Sequence, residues 1–384
     1  MADDNSTKLF CCLRCRPESK VIEDIVKKIE VELKSTYSFD YKDLVGINCR
    51  LKKLENLLDM VSDEVCLIGI WGMGGIGKTT LAQVVYDRFH YEFQGSSFLA
   101  SVREESGKHG IVHLQKQLLS DILIETNFDF PDFRWGSNVI KKRLCRKKVL
   151  VILDDVDKLD QLEKSVGEQS WFGEGSRIII TTRDQHILIS HKVPEAQMYT
   201  AMEMNNDEAL ELFSRKAFEK DHPLEGYEEI SQKFIDYAAG LPLALKVLGS
   251  FLRHRSLELW ESKLAQYKDN PPRDILDVLQ ISYNCLEERE KNIFLDIACF
   301  FNGNDRGYVT KILQILYDKP DIDIDVLLKK SLITISCGYF QMHDLLQELG
   351  REIVRRESPQ EAGKRNRLWH SEDVLRVLKE NSVS

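Results

Sequence analysis

A glycine-rich segment between an apolar run and a helical pattern carries the strongest chemical signal in the sequence. Residues 72–79, GMGGIGKT, match the pattern G-x-x-x-x-G-K-[ST] in full and follow the apolar run LIGIW. Glycines in such a loop let successive backbone N–H groups face phosphate oxygens, and the positive end of the following helix favours the same anion. We expect Lys78 to reach the β- and γ-phosphates of a nucleotide and the Thr79 hydroxyl to bind Mg²⁺. The residues expected to contact the nucleotide in this segment are Gly72, Gly74, Gly75, Ile76, Gly77, Lys78, Thr79 and Thr80.

Two adjacent aspartates end a second chemical segment, KKVLVILDDVD. The apolar run VLVIL predicts a buried strand that delivers Asp154 and Asp155 to its carboxyl end, where open α/β sheets bind ligands. Asp154 is the carboxylate expected on the Mg²⁺ side, acting through bound water. Asp155 is the candidate catalytic residue, because many active ATPases of this type position the attacking water with a glutamate here. Aspartate is one methylene shorter, and a displacement of ~1 Å can cost on the order of 10²-fold in rate, so we expect slow hydrolysis.

An arginine follows a third apolar run, in the segment GSRIIITTRD. The run predicts a buried strand that brings Arg183 to the same edge of the sheet as the two aspartates. A cation at this position could sense the γ-phosphate through charge-assisted hydrogen bonds. The alternative is a surface arginine that pairs with its neighbour Asp184.

The elements that must position these residues alternate along the first half of the chain. The apolar runs VCLIGIW, SSFLASV, KKVLVILDD and SRIIITTR are separated by helical patterns such as TTLAQVVYDRF and VHLQKQLLSDIL. Near-continuous apolar strands separated by helices predict a parallel sheet covered on both faces. Strand signals fade beyond about residue 195, and helical patterns follow, one of them interrupted at Gly240-Leu241-Pro242. Several more helices and one strand pair, LITIS with YFQMH, then predict a winged helix.

The fold class expected is therefore an α/β P-loop NTPase domain, with a parallel sheet and helices on both faces, followed by a helical domain and a winged-helix domain. The predicted parts of the chain are a disordered, cysteine-containing N-terminus at 1–20, a linker helix at 21–42, the nucleotide-binding domain at 43–194, the helical domain at 195–270, the winged helix at 271–357 and a C-terminal tail at 358–384.

These motifs, followed by GLPLALKVLGSFL and FQMHDLLQELGREIVRRES, resemble the NB-ARC module of plant NLR disease-resistance proteins over about residues 43–367. LDDVD and FLDIACFF are similar to the subclass that normally carries a TIR domain, and RPESKVIEDIVKKI is similar to the linker that follows TIR there. No TIR domain is expected before this linker, and no leucine-rich repeats are expected after Gly350. Direct ligand recognition and TIR enzymology are therefore not expected of this chain.

The resemblance implies a signal-transducing switch that holds ADP at rest and ATP when active. It implies that Val45 lies against adenine, that Pro242 packs near the base and ribose, and that His343 contacts the β-phosphate of ADP. Asp344 would hold the resting arrangement. Because the usual flanking domains are not expected, the chain is predicted to act as an adaptor or modulator of full-length NLR or TIR-containing proteins, with self-association on activation. The alternative is a gene fragment with no activity.

Two rival functions remain open at this stage. One is a P-loop ATPase with genuine turnover, and the other is a nucleotide-controlled transcription regulator that uses the winged helix. Residues 271–350 contain eight basic and thirteen acidic residues, and the whole chain has a net charge of −9. A duplex-binding module needs several cations that neutralise phosphates. The charge therefore argues against a nucleic-acid partner.

Cysteine usage and targeting signals bear on the compartment. The nine cysteines show no paired spacing, which indicates reduced thiols, and there is neither a secretory signal nor an apolar run of ~18–20 residues. We expect a cytoplasmic protein, with the nucleus as the alternative, since KKRLCRKK at 141–148 is either a solvated helix end or a localisation signal. In the segment CCLRC, the cysteines Cys11, Cys12 and Cys15 are ordinary thiols or, alternatively, sites of S-palmitoylation that contact a membrane.

Overall fold

The structure is a computed structural model that describes residues 44–125, 127–269 and 272–380. The predicted N-terminal segment with its three cysteines and the predicted linker helix lie outside the described residues. The described part of the predicted nucleotide-binding domain starts with the turn at residues 44–46, which leads into α1 (Ile47–Leu58).

A five-stranded parallel sheet forms the centre of this domain, as the sequence predicts. Its strands are β1 (Cys66–Trp71), β2 (Gly95–Leu99), β3 (Val149–Val156), β4 (Arg177–Thr182) and β5 (Met198–Thr200). The spatial order is β2-β3-β4-β1-β5, so β1 is an interior strand between β4 and β5. The loop that follows β1 therefore starts between the ends of these two neighbours. The carboxyl ends of all five strands meet at one edge.

Helices cover both faces of the sheet. They are α2 (Lys78–Phe89), α3 (Val102–His109), α4 (Ile111–Leu123), α5 (Phe133–Leu144), α6 (Leu159–Ser165) and α7 (Gln185–Ser190). Along β3, Leu150 and Ile152 pack with the core that includes α1 and α2, whereas Val149, Val151 and Leu153 pack with the core that includes α4 and α5. Burial on both faces is why this strand reads as a continuous apolar run.

The fifth strand differs from the sequence-based expectation that strands end near residue 195. β5 has only three residues and pairs with β1 from Gly69 to Trp71. So short a strand contains too few positions for an alternation of apolar and polar residues to be recognised. It forms because β1 offers unpaired backbone groups on that side.

The helical domain contains α8 (Asn206–Phe218), α9 (Glu228–Ala238), α10 (Pro242–Leu252) and α11 (Leu257–Asp269). The predicted interruption is present: α9 ends at Ala238 and α10 begins at Pro242. Proline suits the first position of a helix, where its missing N–H would have no intrahelical partner. Gly240 has φ +73° and approaches Met204 so closely that a Cβ there would lie 2.5 Å from the Met204 carbonyl oxygen.

The winged-helix domain consists of helices around one antiparallel hairpin. Its elements are α12 (Arg273–Asn284), α13 (Glu288–Asp296) with a π-helical turn at Ile297–Phe301, α14 (Arg306–Leu316), α15 (Asp321–Lys329), β6 (Thr334–Ser336), β7 (Tyr339–Gln341) and α16 (Asp344–Glu357). The predicted tail contains α17 (Ser371–Glu380). Before it, Arg367 pairs with Asp296 at 2.6 Å, which ties this segment to α13.

One hydrophobic core runs from the sheet through the helical domain into the winged helix. It includes Ile70 of β1, Phe213 of α8, Leu248 of α10 and Leu279 of α12, all of them buried. Among the described residues, no helix combines the length and the apolar character that crossing a membrane requires.

Candidate nucleotide-binding site

The glycine-rich loop connects the carboxyl end of β1 to the start of α2. Gly75 and Gly77 have φ +80° and +96°, in the left-handed region that favours glycine. A Cβ at Gly75 would lie 2.8 Å from the Cβ of Leu243 in α10, whereas a Cβ at Gly77 would meet no protein atom within 4 Å. The loop is therefore packed against the helical domain at Gly75 and open at Gly77, where a bound group has room.

Lys78 is folded back onto its own loop. Its ammonium donates to the carbonyl oxygens of Gly72 at 2.7 Å and Met73 at 2.8 Å, and the residue is 7% exposed. Burial, together with the nearby Arg183, lowers the pKa of Lys78 to about 7, although the adjacent carboxylates oppose that shift. Phosphate oxygens beside this group would favour its charged form. Anion binding in the loop is therefore expected to be linked to proton uptake at Lys78.

Asp154 lies in a set of hard oxygen donors. The Thr79 hydroxyl donates to its two carboxylate oxygens at 2.9 and 3.0 Å, and the Thr181 hydroxyl donates to one of them at 2.6 Å. Mg²⁺ is usually held by one or two carboxylates together with phosphate oxygens and waters. The hydroxyl of Thr79 and the carboxylate of Asp154 fit that donor set. No cluster of three or more His, Cys, Asp or Glu side chains within the described ranges could hold a metal ion by itself.

The two aspartates lie where the pairing of β3 with β4 becomes irregular. Leu153 pairs with Ile180, but the next paired residue of β3 is Val156, which lies opposite Thr182. The extra residue forms a bulge in β3, and Asp155 has φ +56°. In a regular strand, consecutive side chains point to opposite faces. The bulge lets both carboxylates line the same cleft.

Asp155 is held between two arginines. Arg103 Nε donates to one carboxylate oxygen at 2.8 Å, and Arg183 Nε donates to the other at 3.3 Å. Burial by itself would raise the pKa of Asp155, but Arg183 and Arg103 outweigh it and hold this pKa below its usual range. In this arrangement the carboxylate is a poor proton acceptor, because taking a proton from water would weaken both ion pairs.

Arg183 also reaches the winged-helix domain. Its Nη1 donates to the carbonyl oxygen of Val278 at 2.8 Å and lies 3.5 Å from the Ser282 hydroxyl; both residues belong to α12. A Cβ at Gly74 would lie 2.9 Å from the same Nη1 atom. One guanidinium therefore touches the phosphate loop, the candidate catalytic aspartate and α12. Asp184 pairs with Lys330 at 2.6 Å and not with Arg183.

A cleft that is open to solvent lies between the loop and the helical domain. We call the part of its wall formed by the loop and the sheet edge the polar part; its charged and hydroxyl groups suit phosphates. The remaining wall contains Arg50 and Lys246 together with a set of apolar side chains that suits a flat ring system. We call this set the apolar part; it comprises Leu44, Val45, Ile47, Met204, Leu212, Pro242 and Leu243.

The structure brings most of the predicted site residues together in this cleft. Gly75 to Thr80, Asp154, Asp155, Arg183, Val45 and Pro242 all line it. Gly72 and Gly74 belong to the same loop but do not line the cleft, and neither does His343. The direct contact of His343 with a phosphate stays a prediction.

His343 instead joins the winged-helix domain to the helical domain. Its Nδ1 accepts from the backbone N–H of Leu345 at 3.2 Å, and its Nε2 lies 3.2 Å from the carbonyl oxygen of Ala239. These two contacts assign the proton to Nε2. Burial lowers the pKa of His343, although Glu203 and Asp344 oppose that shift, so the neutral ring is favoured. Ala239 precedes the Gly240-Leu241-Pro242 turn, which places His343 behind the wall that Pro242 presents to the cleft.

Sequence reasoning did not select several residues that line the cleft or hold its side chains, among them Arg50, Arg103 and Thr181, and it did not select Lys330, which lies outside the cleft and pairs with Asp184. Arg103 follows β2 and Thr181 is the last residue but one of β4, so the rule that ligands bind at the carboxyl ends of parallel strands could have found both. Arg50 and Lys330 carry no such signal. Their partners lie 158 and 146 residues away along the chain.

The parallel sheet, the loop and the adjacent carboxylates define a P-loop nucleotide-binding protein. A solved Walker-type ATPase of Pyrococcus abyssi shares this fold, with a TM-score of 0.55 and 15% sequence identity over 81% of this chain and 97% of that one. At that identity the likeness concerns the fold alone.

Family comparisons then identify the class. The NB-ARC domain matches residues 48–223, and the winged-helix domain described as Disease resistance protein Roq1-like matches residues 287–358. The chain belongs to the plant NLR disease-resistance proteins, of the subclass that normally carries a TIR domain, and it contains their nucleotide-binding NB-ARC module. This confirms the predicted family and fold class.

The chain covers only part of the length of two curated relatives. The chain is 43% identical over 362 residues to Disease resistance protein RUN1 of Vitis rotundifolia, covering 94% of this chain and 27% of that protein. It is 38% identical over 380 residues to TMV resistance protein N of Nicotiana glutinosa, covering 97% and 32%. The chain thus spans about a quarter to a third of the length of these relatives.

Proposed function

We propose that the chain is an adenine-nucleotide switch in which ADP or ATP sets how the winged-helix domain packs against the sheet edge. The observation that carries this proposal is the position of Arg183. Its guanidinium joins Asp155, beside the phosphate loop, to the carbonyl oxygen of Val278 in α12. A change at the phosphates therefore has a direct route to another domain.

The polar part of the cleft supports phosphate binding. Lys78 would give up its loop carbonyls for phosphate oxygens, and the start of α2 would add its positive end. Thr79 and Asp154 would hold Mg²⁺. When bound, the ion neutralises phosphate charge and polarises phosphoryl oxygens. The apolar part, with Val45 and Pro242 in its wall, would take the base and ribose.

The difference between ADP and ATP falls on Arg183. A γ-phosphate in the cleft would compete with Asp155 and with the Val278 carbonyl for the same guanidinium, because charged oxygens make the stronger hydrogen bonds. ADP lacks that phosphate and leaves the contact with α12 in place. A ligand shifts an equilibrium only through its different affinity for the two states. Here the difference is the loss of the Val278 contact in the ATP state.

The surroundings of Asp155 favour a switch with slow hydrolysis over an ATPase with rapid turnover. Both of its oxygens are engaged by arginines, and its pKa is held low. Hydrolysis would therefore be slow and would serve to reset the switch. His343 and Asp344 at the start of α16 would hold the resting arrangement from the helical-domain side.

The cellular setting remains part of the proposal. Within the described ranges the six cysteines are free thiols, as expected of a reducing compartment such as the cytosol. The predicted partners are full-length NLR or TIR-containing proteins and further copies of this chain. The role of adaptor or modulator stays a prediction.

The decisive experiment is to denature the purified protein and identify the nucleotide that it releases. Stoichiometric ADP would support the switch. Absence of bound nucleotide together with steady-state turnover well above about 1 s⁻¹ would instead favour a turnover ATPase.

Two substitutions extend this experiment. Lys78→Arg should abolish nucleotide retention, because the larger guanidinium cannot replace the buried ammonium in the loop. Asp344→Val should shift the released nucleotide from ADP towards ATP. Asp373→Asn, in α17, is the control and should leave the content unchanged. An Asp344→Val protein with the wild-type ratio of ADP to ATP would contradict the role assigned to that residue.

A further inference from the structure

One arginine in α1 connects three segments beside the apolar part of the cleft. Arg50 Nη1 donates to a carboxylate oxygen of Glu208 at 2.8 Å and to the Gly46 carbonyl oxygen at 2.9 Å. Its Nη2 donates to the other oxygen of Glu208 at 2.8 Å and to the Glu203 carbonyl oxygen at 3.2 Å. The two charged groups thus form a bidentate pair, the geometry in which an arginine and a carboxylate bind most strongly.

The pair joins the entry segment of the nucleotide-binding domain to the helical domain. Gly46 belongs to the turn before α1, whereas Glu208 is in the first turn of α8. Glu208 is itself held in place, because its Oε2 accepts from the backbone N–H of Asn205 at 3.2 Å in a capping box. The Arg50 and Glu208 side chains are only 18% and 17% exposed, so water screens them less than a surface pair.

The two segments that the pair joins each supply one half of the apolar part. Leu44, Val45 and Ile47, on one side, come from the entry segment that Arg50 holds. Met204 and Leu212, on the other side, flank Glu208 in the helical domain. Arg50 itself lines the cleft. The Arg50–Glu208 pair therefore joins the two segments that would enclose a ring system between these halves.

The close packing at Gly46 shows how tightly the entry segment is held against the helical domain. Gly46 has φ +67°, and a Cβ there would lie 2.2 Å from a carboxylate oxygen of Glu208 and 2.5 Å from Arg50 Nη1. The entry turn can therefore approach α8 only because this position has no side chain. The hydrogen bond from Arg50 also holds the pKa of Glu208 below its usual range, so the pair stays charged near neutral pH.

We propose that the Arg50–Glu208 pair is a gate on the base side of the cleft, and that its opening limits the release of bound nucleotide. The proposal rests on the nucleotide-binding function proposed above. It assigns Arg50 and Glu208 as positioning residues, which act on the nucleotide through the two halves of the apolar part.

The test compares the release of tritiated ADP from the full chain with that from two variants. Glu208→Gln removes the charge but keeps a side chain that can form the capping box with Asn205. Arg50→Lys keeps the charge but loses the planar, bidentate geometry. Release into excess unlabelled ADP is followed by filter binding. We expect roughly tenfold faster release from Glu208→Gln, the size expected when a charge-assisted pair of hydrogen bonds is lost.

Pyrophosphate separates a gate from a general defect. It can use the phosphate loop but not the apolar part, so its affinity, measured by displacement of labelled pyrophosphate, should be the same in wild type and in both variants. A folding defect would weaken both ligands. Asp373→Asn is the matched control, because it removes the charge of Asp373 from another half-buried ion pair. In that pair Arg365 Nη1 lies 2.9 Å from an Asp373 carboxylate oxygen, and neither residue lines the cleft. It should leave both measurements unchanged.

Each outcome decides between the two proposals. Wild-type chain that retains no ADP would overturn the proposed function and this inference together. Wild-type chain that retains ADP, with variants that release it at the wild-type rate, would overturn the gate alone. Loss of pyrophosphate affinity in parallel with faster ADP release would also overturn the gate, since the pair would then act on overall structure.

Discussion

The winged-helix domain meets its two neighbours through contacts of different kinds. On the side of the helical domain, Leu279 of α12 and Leu248 of α10 belong to one continuous hydrophobic core. On the side of the sheet edge, Arg183 donates to the Val278 carbonyl oxygen, and Lys330 pairs with Asp184 at 2.6 Å. We call these the apolar junction and the charged junction.

This difference assigns the two junctions different roles: the apolar junction stabilises the fold, and the charged junction can respond to the bound nucleotide. Burying apolar side chains stabilises the fold whatever nucleotide is present, by about 25 cal/mol per Å² of surface removed from water. A partly exposed ion pair contributes only ~0–1 kcal/mol, and another charged group can take over one of its partners. The charged junction is therefore the one that a γ-phosphate can open at low cost. The apolar junction is the one that keeps the domains together.

The largest effect is expected at the apolar junction. Leu279→Ala should lower the free energy of unfolding by about 2–5 kcal/mol, because Leu279 is 1% exposed and its removal leaves a cavity. Denaturant unfolding followed by circular dichroism measures this change. Leu375→Ala, at a side chain that is 55% exposed, is the control and should change the stability by less than about 0.5 kcal/mol. Equal effects of the two substitutions would contradict the stabilising role assigned to the apolar junction.

A half-buried acid on the helical-domain side gives a pH dependence of intermediate size. Tyr237 Oη lies 2.8 Å from a carboxylate oxygen of Glu348 and 3.3 Å from the Tyr267 carbonyl oxygen. The Tyr237 hydroxyl is the donor to Glu348, so this hydrogen bond by itself favours the charged carboxylate. Burial, with Asp344 adding to it, raises the pKa of Glu348 to about 7 from an ordinary value of 4.5, although the hydrogen bond from Tyr237 and the charges of Arg351 and Arg355 oppose that shift.

The sign of the effect follows from that shift. As the pH rises above 4.5 the unfolded chain loses this proton first, so stability falls between pH 4.5 and about 7 and is level above. Glu348→Gln should therefore be more stable than wild type by about 3 kcal/mol at pH 8 and equal to it near pH 4. Unfolding curves at a series of pH values test this. Glu372→Gln, at an exposed position of α17, should keep the wild-type slope, and an unchanged slope in Glu348→Gln would contradict the assignment.

The smallest change in stability is expected at the charged junction. Lys330→Met removes the partner of Asp184 while leaving Asp184 free to cap α7 through the His186 N–H at 2.9 Å. We expect unfolding to change by less than about 1 kcal/mol, but ADP to exchange for ATP several-fold faster, because the winged helix is held less firmly. Lys329→Met is the matched control, since Lys329 pairs with Asp325 within its own helix. A variant that loses stability without faster exchange would show that the charged junction is structural.

Much of the site could be predicted because its parts are local. The glycine loop, the apolar run before it and the helix after it are contiguous, and each follows from residue type and spacing. The aspartates and Arg183 were found because strand ends of a parallel sheet must meet at one edge. The bulge in β3 was not predicted, since a run of apolar residues followed by two aspartates looks the same whether or not one residue is left unpaired. The three-residue strand β5 was missed for the reason that its length conceals any pattern.

The sequence by itself determined the phosphate cradle, the carboxylates beside it, the break before Pro242 and the family to which the chain belongs. Only the tertiary structure decided that Asp155 is held by two arginines, that His343 contacts Ala239 and does not line the cleft, and that Arg50 pairs with Glu208. The physical reason is distance along the chain. A motif is encoded by neighbouring residues, whereas pairs separated by 28 to 158 residues form only when packing of the whole core brings their side chains within hydrogen-bonding distance.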